Sequence, residues 1–167
     1  AKRLLALALA GVMTLALLTG CSDSRSKAKQ VEECFRSLMK TRQNVDYQKD
    51  ETLDKKLEAI AQQFQPDWLD NRTGGLTEHA RTIIINELRG YLLTGSVWLW
   101  YGEVKPGQSA LAQAESMKYS QGIEIALLDS GIPTLQAIAF TMTGKKSDGH
   151  RYYLALRTNA TIKTPQG

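Results

Sequence analysis

The sequence predicts an α+β fold: three N-terminal amphipathic helices packed on a curved antiparallel sheet of four to five strands. Two observations carry this. Up to about residue 92 the apolar residues recur at helical spacing, and from Ser96 onward they recur at every second position. The second-half segments are also short and joined by tight turns, which suit antiparallel pairing and leave no room for parallel crossovers. Helices grouped before strands, rather than alternating with them, make the α+β layout.

In chain order, Val31, Cys34, Phe35, Leu38 and Met39 follow the i, i+3, i+4, i+7, i+8 pattern of the first helix. Asp50 or Thr52 caps a second, with the stripe Leu53, Leu57, Ile60, Ala61 and Phe64, and Pro66 stops it. Thr77 caps a third that carries Ala80, Ile83, Ile84, Leu88 and Tyr91 and is expected to end at Gly95. A strand follows in which Val97, Leu99 and Tyr101 alternate with Trp98 and Trp100. Lys105-Pro106-Gly107-Gln108 suits a type II turn, since proline presets the first central φ and glycine supplies the positive second one. Residues 109–118 fit a short helix as well as a strand. Ile123, Ile125 and Leu127 form one strand face, and Ser130-Gly131-Ile132-Pro133 turns the chain. Thr134 to Thr143 is a strand with Ile138, Phe140 and Met142 on one side; Lys145 to Gly149 is the next turn. In the last strand Tyr152, Leu154, Leu156, Ala160 and Ile162 face inward, and Arg157, Asn159, Thr161 and Lys163 outward.

Ahead of this domain Lys2 and Arg3 precede an uncharged run from Leu4 to Leu18, then the small residues Thr19 and Gly20. These are the three regions of a secretory signal. The fifteen-residue run would span about 22 Å as a helix, short of the roughly 30 Å hydrocarbon core. Leu18-Thr19-Gly20-Cys21 resembles the lipobox of bacterial lipoproteins. That resemblance implies removal of residues 1–20, acylation of the Cys21 sulfur, and stable attachment to membrane lipid without spanning it. Ser22 after the cysteine implies delivery to the outer membrane with the domain facing the periplasm, although Asp23 one place later weakens this sorting signal in some bacteria. Residues 21–30 then read as the acylated cysteine and a polar tether, and 31–167 as a single domain. Fully extended, residues 22–30 reach at most about 30 Å.

The chain from Cys21 onward has 147 residues, enough for one domain with a real core. It carries 19 bases against 17 acids, so the +4 of the whole chain falls to +2. That near-balance and an envelope address argue against a nucleic-acid partner. With Cys21 acylated, Cys34 is the one remaining thiol, which excludes a disulfide framework and a cysteine-based metal site.

The domain from Val31 to Ile162 is similar to the nuclear transport factor 2-like (SnoaL-like) family. The residues that carry the likeness are the opening helix, Phe64-Gln65-Pro66-Asp67-Trp68-Leu69 at the exit of the second helix, Gly74-Gly75 before the third, and Ala139 to Gly144 with Asp148-Gly149 and Tyr152-Tyr153 late in the chain. The likeness implies a cone-like sheet around a cavity, used in that family by enzymes and by plain binding modules, so it does not choose a function. The family's catalytic aspartate follows the second-helix exit at a spacing that Asp67 and Asp70 do not reproduce.

An enzymatic cone would need Asp67, Asp70, His79 or Glu103 in a pocket with a displaced pKa. His79, at a helix start, and His150, beside a turn, read as solvated residues, and two distant histidines give little support to zinc. No serine sits in a Gly-x-Ser-x-Gly frame and no glycine-rich phosphate loop occurs. The expected sets of catalytic residues, metal ligands and cofactors are therefore empty. The unusual feature is aromatic. Trp98, Trp100 and Tyr101 crowd one strand that is apolar on both faces, which means core on both sides or a contact surface. These three are the candidate partner or ligand surface. The expectation is a non-enzymatic, lipid-anchored binding or accessory module with an envelope protein as partner, the alternative being a cavity domain that binds or transforms a small molecule.

Overall fold

The structure is a computed structural model. It describes residues 26–70, 72–119, 123–125 and 135–162; Cys21 with its leader, Leu127, the Ser130–Pro133 turn and Lys163 lie outside these. The architecture is α+β, and the described residues form four helices, a short 3₁₀ turn and an antiparallel sheet.

Helix α1 spans Lys27–Gln43 and buries Val31, Phe35 and Met39, with Cys34 and Leu38 half-buried beside them. It starts inside the stretch that reads as tether. The Ser26 hydroxyl caps it by accepting the Lys29 N–H at 3.3 Å. Lysine, alanine and glutamine are good helix formers, and Glu32 pairs with Lys29 at 3.4 Å and Arg36 at 3.2 Å one turn either way. Asn44, with φ 52°, ends the helix.

Helix α2, Glu51–Gln63, is capped by Asp50, whose carboxylate accepts the Leu53 N–H at 2.7 Å. Leu53, Leu57, Ile60 and Ala61 are buried, as is Phe64, the residue at its C-cap. Pro66–Trp68 forms the 3₁₀ turn and seats Trp68 edge-on against Phe64, centroids 5.5 Å apart. Helix α3, Glu78–Leu88, is capped by Thr77 and buries Ala80, Ile84 and Leu88. It stops at Arg89, before Gly90 at φ 94°, and not at Gly95.

Strand β1 runs Leu92–Glu103 and contains Gly95. There φ is 132°, and a Cβ would lie 2.4 Å from the Asn159 carbonyl oxygen. That glycine serves a close cross-strand approach. The Lys105–Gln108 turn forms as expected, with Gln108 N–H on the Lys105 carbonyl at 3.3 Å and Gly107 at φ 87°. Helix α4, Ala110–Glu115, capped by Ser109, resolves the next ambiguous stretch; β2, Lys118–Tyr119, follows it. Strands β3 (Ile123–Ile125), β4 (Leu135–Met142) and β5 (Tyr152–Ile162) complete the sheet. Its order is β2-β1-β5-β4, every pair antiparallel, with β3 also on β1.

The sheet is covered on both faces. On one, α2 and α3 pack Leu53, Leu57, Ile60, Ile84 and Leu88 over Val97, Leu99, Ala139, Leu154 and Leu156. On the other, α1 and α4 pack Val31, Phe35, Met39, Ala110 and Ala114 over Trp100, Ile138, Tyr153 and Ala155. Helices α1, α2 and α3 are thus divided between the faces. Tyr153 and Ala155 make β5 apolar on both sides along this half, while the outward Arg157 is half-buried and Asn159 exposed.

Candidate functional site

Strand β1 brings Trp98 and Trp100 to the α1 side and turns Tyr101 to the other. Tyr101 packs on the α2–α3 core, and burial pushes its phenol up from the ordinary value. The two tryptophans have different surroundings. Trp100 is 6% exposed. The Phe35 ring meets it edge-on at 5.4 Å and Tyr119, its cross-strand partner, lies 4.8 Å away on β2. Its indole Nε1 is buried without a hydrogen-bond partner. Tyr119 itself is 60% exposed, so the apolar cluster reaches solvent at the β2 edge.

Trp98 packs at the margin of the same cluster and is half-buried. Its partner across the ladder is Arg157, whose guanidinium carbon sits 3.9 Å from the indole centroid. Arg157 Nη1 donates to the Tyr47 hydroxyl at 3.1 Å, and Nε is buried without a partner. Tyr47 comes from the α1–α2 connection, so three separated segments build this stack. Sequence reasoning found the tryptophans but missed Tyr47, Tyr119 and Arg157. No local signal marks them, because their roles come from register and from a loop that folds back over the sheet. Chemically the stack offers a flat aromatic surface, a cation and a phenol, which is recognition chemistry.

The acid and histidine candidates do not converge. Asp67 and His79 are exposed. Asp70 turns the chain after the 3₁₀ segment: its carboxylate accepts the Arg72 N–H at 2.8 Å, and this bond holds it below the usual carboxylate range. Glu103 pairs with His150 at 3.1 Å on the surface. Asp148 accepts a short bond from the Tyr152 hydroxyl and the His150 N–H at 2.9 Å, which lower its pKa. The Tyr152 phenol is raised, by burial first and this carboxylate second. A groove of about 420 Å³ opens elsewhere, between α2 and the end of β4, and none of these acids or histidines lines it. Among the described residues no three His, Cys, Asp or Glu gather as metal ligands, and no helix is long and apolar enough to cross a membrane.

Compared with protein-family models, curated proteins and solved structures, the chain matches none.

Proposed function

We propose that this chain is a lipid-anchored, periplasm-facing binding module of the bacterial envelope, held by an acylated Cys21 and without catalytic activity of its own. The observation that carries the reading is Leu18-Thr19-Gly20-Cys21 directly behind a basic and then apolar leader. Ser22 favours the outer membrane as its address. An envelope protein as partner is supported by the aromatic edge, where Tyr119 is 60% exposed over Trp100, and by the Trp98–Arg157–Tyr47 stack beside it. Aromatic and arginine side chains are enriched at contacts of this kind. The alternative, a cone-shaped cavity that binds or transforms a small molecule, has less support. The layer between α2, α3 and the sheet is filled by Leu53, Ile60, Ile84, Val97, Leu99, Leu154 and Leu156, each fully buried.

The test is metabolic labelling with palmitate in cells expressing the full precursor, followed by membrane fractionation. Wild type is expected to take up label and sediment with membranes. Cys21→Ala is expected to take up none and to accumulate at the precursor length. Label retained by Cys21→Ala overturns the assignment. Detergent extraction of the labelled protein and recovery of its bound proteins then tests the partner.

A further inference from the structure

Among the described residues the outer edge of β4 is largely paired along one half and unpaired along the other. Across the β4–β5 ladder the Thr143 N–H bonds the Tyr152 carbonyl at 2.8 Å, and the Tyr152 N–H bonds the Thr143 hydroxyl at 3.0 Å. The alternation of an antiparallel ladder then turns the main-chain groups of Gln136, Ile138, Phe140 and Met142 away from β5. Three of the four groups of the first two are occupied. Gln48 donates to the Gln136 carbonyl at 2.9 Å and accepts the Ile138 N–H at 3.2 Å, pairing parallel to β4, and Arg36 donates to the Ile138 carbonyl. The outward N–H and C=O of Phe140 and Met142 bond no described residue.

The groove of about 420 Å³ lies at this open half. One wall is Thr141 to Gly144 of the strand and its turn; the other is Glu58, Ala61 and Gln62 of α2. Lys146 closes one side, its ammonium donating to the Ala61 carbonyl at 2.8 Å and the Gln62 carbonyl at 3.3 Å. Met142 is 36% exposed beside it.

We propose that this groove takes an extended peptide segment of a partner protein, which adds to β4 as a short further strand at Phe140 and Met142. The main-chain donors and acceptors that bond no described residue define the occupant, because another extended backbone satisfies them in alternation while a compact ligand or a lipid chain does not. The chain's own Gln48 already makes one such rung on the same edge. Glu58 and Lys146 put one charge of each sign on the walls, which suits a segment without net charge. The site rests on the binding-module reading but not on its anchor, so this experiment and the Cys21 experiment fail separately.

The test selects heptapeptides from a random displayed library on the full chain and measures the chosen synthetic peptide by fluorescence anisotropy. Met142→Pro removes the outward N–H while sparing the bonds to β5, and proline is tolerated on an edge strand facing this way. Binding is expected to weaken at least about tenfold in Met142→Pro and to change less than about threefold in Met142→Ala, which keeps the backbone donor. Failure to enrich any peptide, equal binding by Met142→Pro, or an equal loss in Met142→Ala overturns the proposal. Should Met142→Pro fail to fold by circular dichroism, N-methylation along the peptide decides on wild type. Sensitivity at alternate residues supports strand addition, and uniform tolerance overturns it.

Discussion

Arg157 stacks on Trp98, its direct partner across the β1–β5 ladder, with the guanidinium carbon 3.9 Å from the ring centroid. The pair keeps a half-buried charge over an aromatic face and joins it to Tyr47 at 3.1 Å. Replacing Arg157 by Ala is expected to cost about 0.5–1 kcal/mol, the usual worth of such a contact near a surface. Lysine should not restore it fully, since an ammonium lacks the planar fork. Urea unfolding of Arg157→Ala and Arg157→Lys checks both statements; equal stability of all three proteins would show the stack to be incidental.

The two tryptophans should separate in the same assay. Trp100→Ala is expected to cost about 3–5 kcal/mol, as for a fully buried aromatic ring. Trp98→Ala should cost about 1–2 kcal/mol, because it loses partial burial and one stacked cation. At roughly 2–4 °C per kcal/mol for a domain of this size, thermal melts resolve the difference. A midpoint for Trp98→Ala as low as that for Trp100→Ala would contradict the division.

Gly95 should tolerate no side chain. At φ 132° and with the Asn159 carbonyl oxygen 2.4 Å from the place of a Cβ, Gly95→Ala must displace one strand against the other. A cost above about 2 kcal/mol is expected from strain of this kind. Gly107→Ala, where nothing lies within 4 Å, should lose only the smaller cost of its positive φ. Denaturation midpoints of the two variants provide the comparison.

Two carboxylates predict opposite pH behaviour. Asp148 is held low chiefly by the Tyr152 hydroxyl, so its contribution is present above the ordinary 3.8 and is lost as pH falls through the lower folded value. Asp148→Asn should flatten that acid limb. Asp54 is raised, burial being the largest cause, so its ionised form disfavours folding. Asp54→Asn should therefore stabilise at neutral pH, and the gain should fade as pH falls through the raised folded value and be gone below 3.8. Stability measured against pH for both variants tests the signs.

Cys34 is half-buried on α1 rather than sealed in the core. Its labelling by a thiol reagent should be slower than that of the unfolded chain yet complete in the native state. Absence of native labelling would show that α1 packs more tightly than its exposure implies.

The stripes of α1, α2 and α3 were legible because each repeats its apolar residues at about 3.6, and the caps of α2 and α3 were legible as Asp50 and Thr77, whereas Ser26 read as part of a tether. The apolar character of both sides of β1 left core on both sides or a contact surface open, and the structure puts helices over both faces. Which helix covers which face was not legible, because periodicity fixes only that a stripe is buried. The start of α1 was hidden because Gln30 and Glu32, which are buried, break no polar pattern. Gly95 misled for a related reason: a glycine after a helical stripe looks like a stop, and only the position of Asn159 shows otherwise. Of the site, the tryptophans were visible as residues, whereas Arg157 and Tyr47 became partners only through register and loop path.

The single rung that Gln48 lays on β4 also bears on how the protein behaves when crowded. Cross-β stacking feeds on an uninterrupted strip of about six or seven residues with low charge and no proline. Among the described residues Gln48 and Arg36 occupy the middle of this margin and leave short stretches at Gln136 and at Phe140 to Met142, too little for a second molecule to template on. The same short margin can accept a chosen peptide while resisting runaway self-association, so concentration alone should not drive this side of the molecule into fibres.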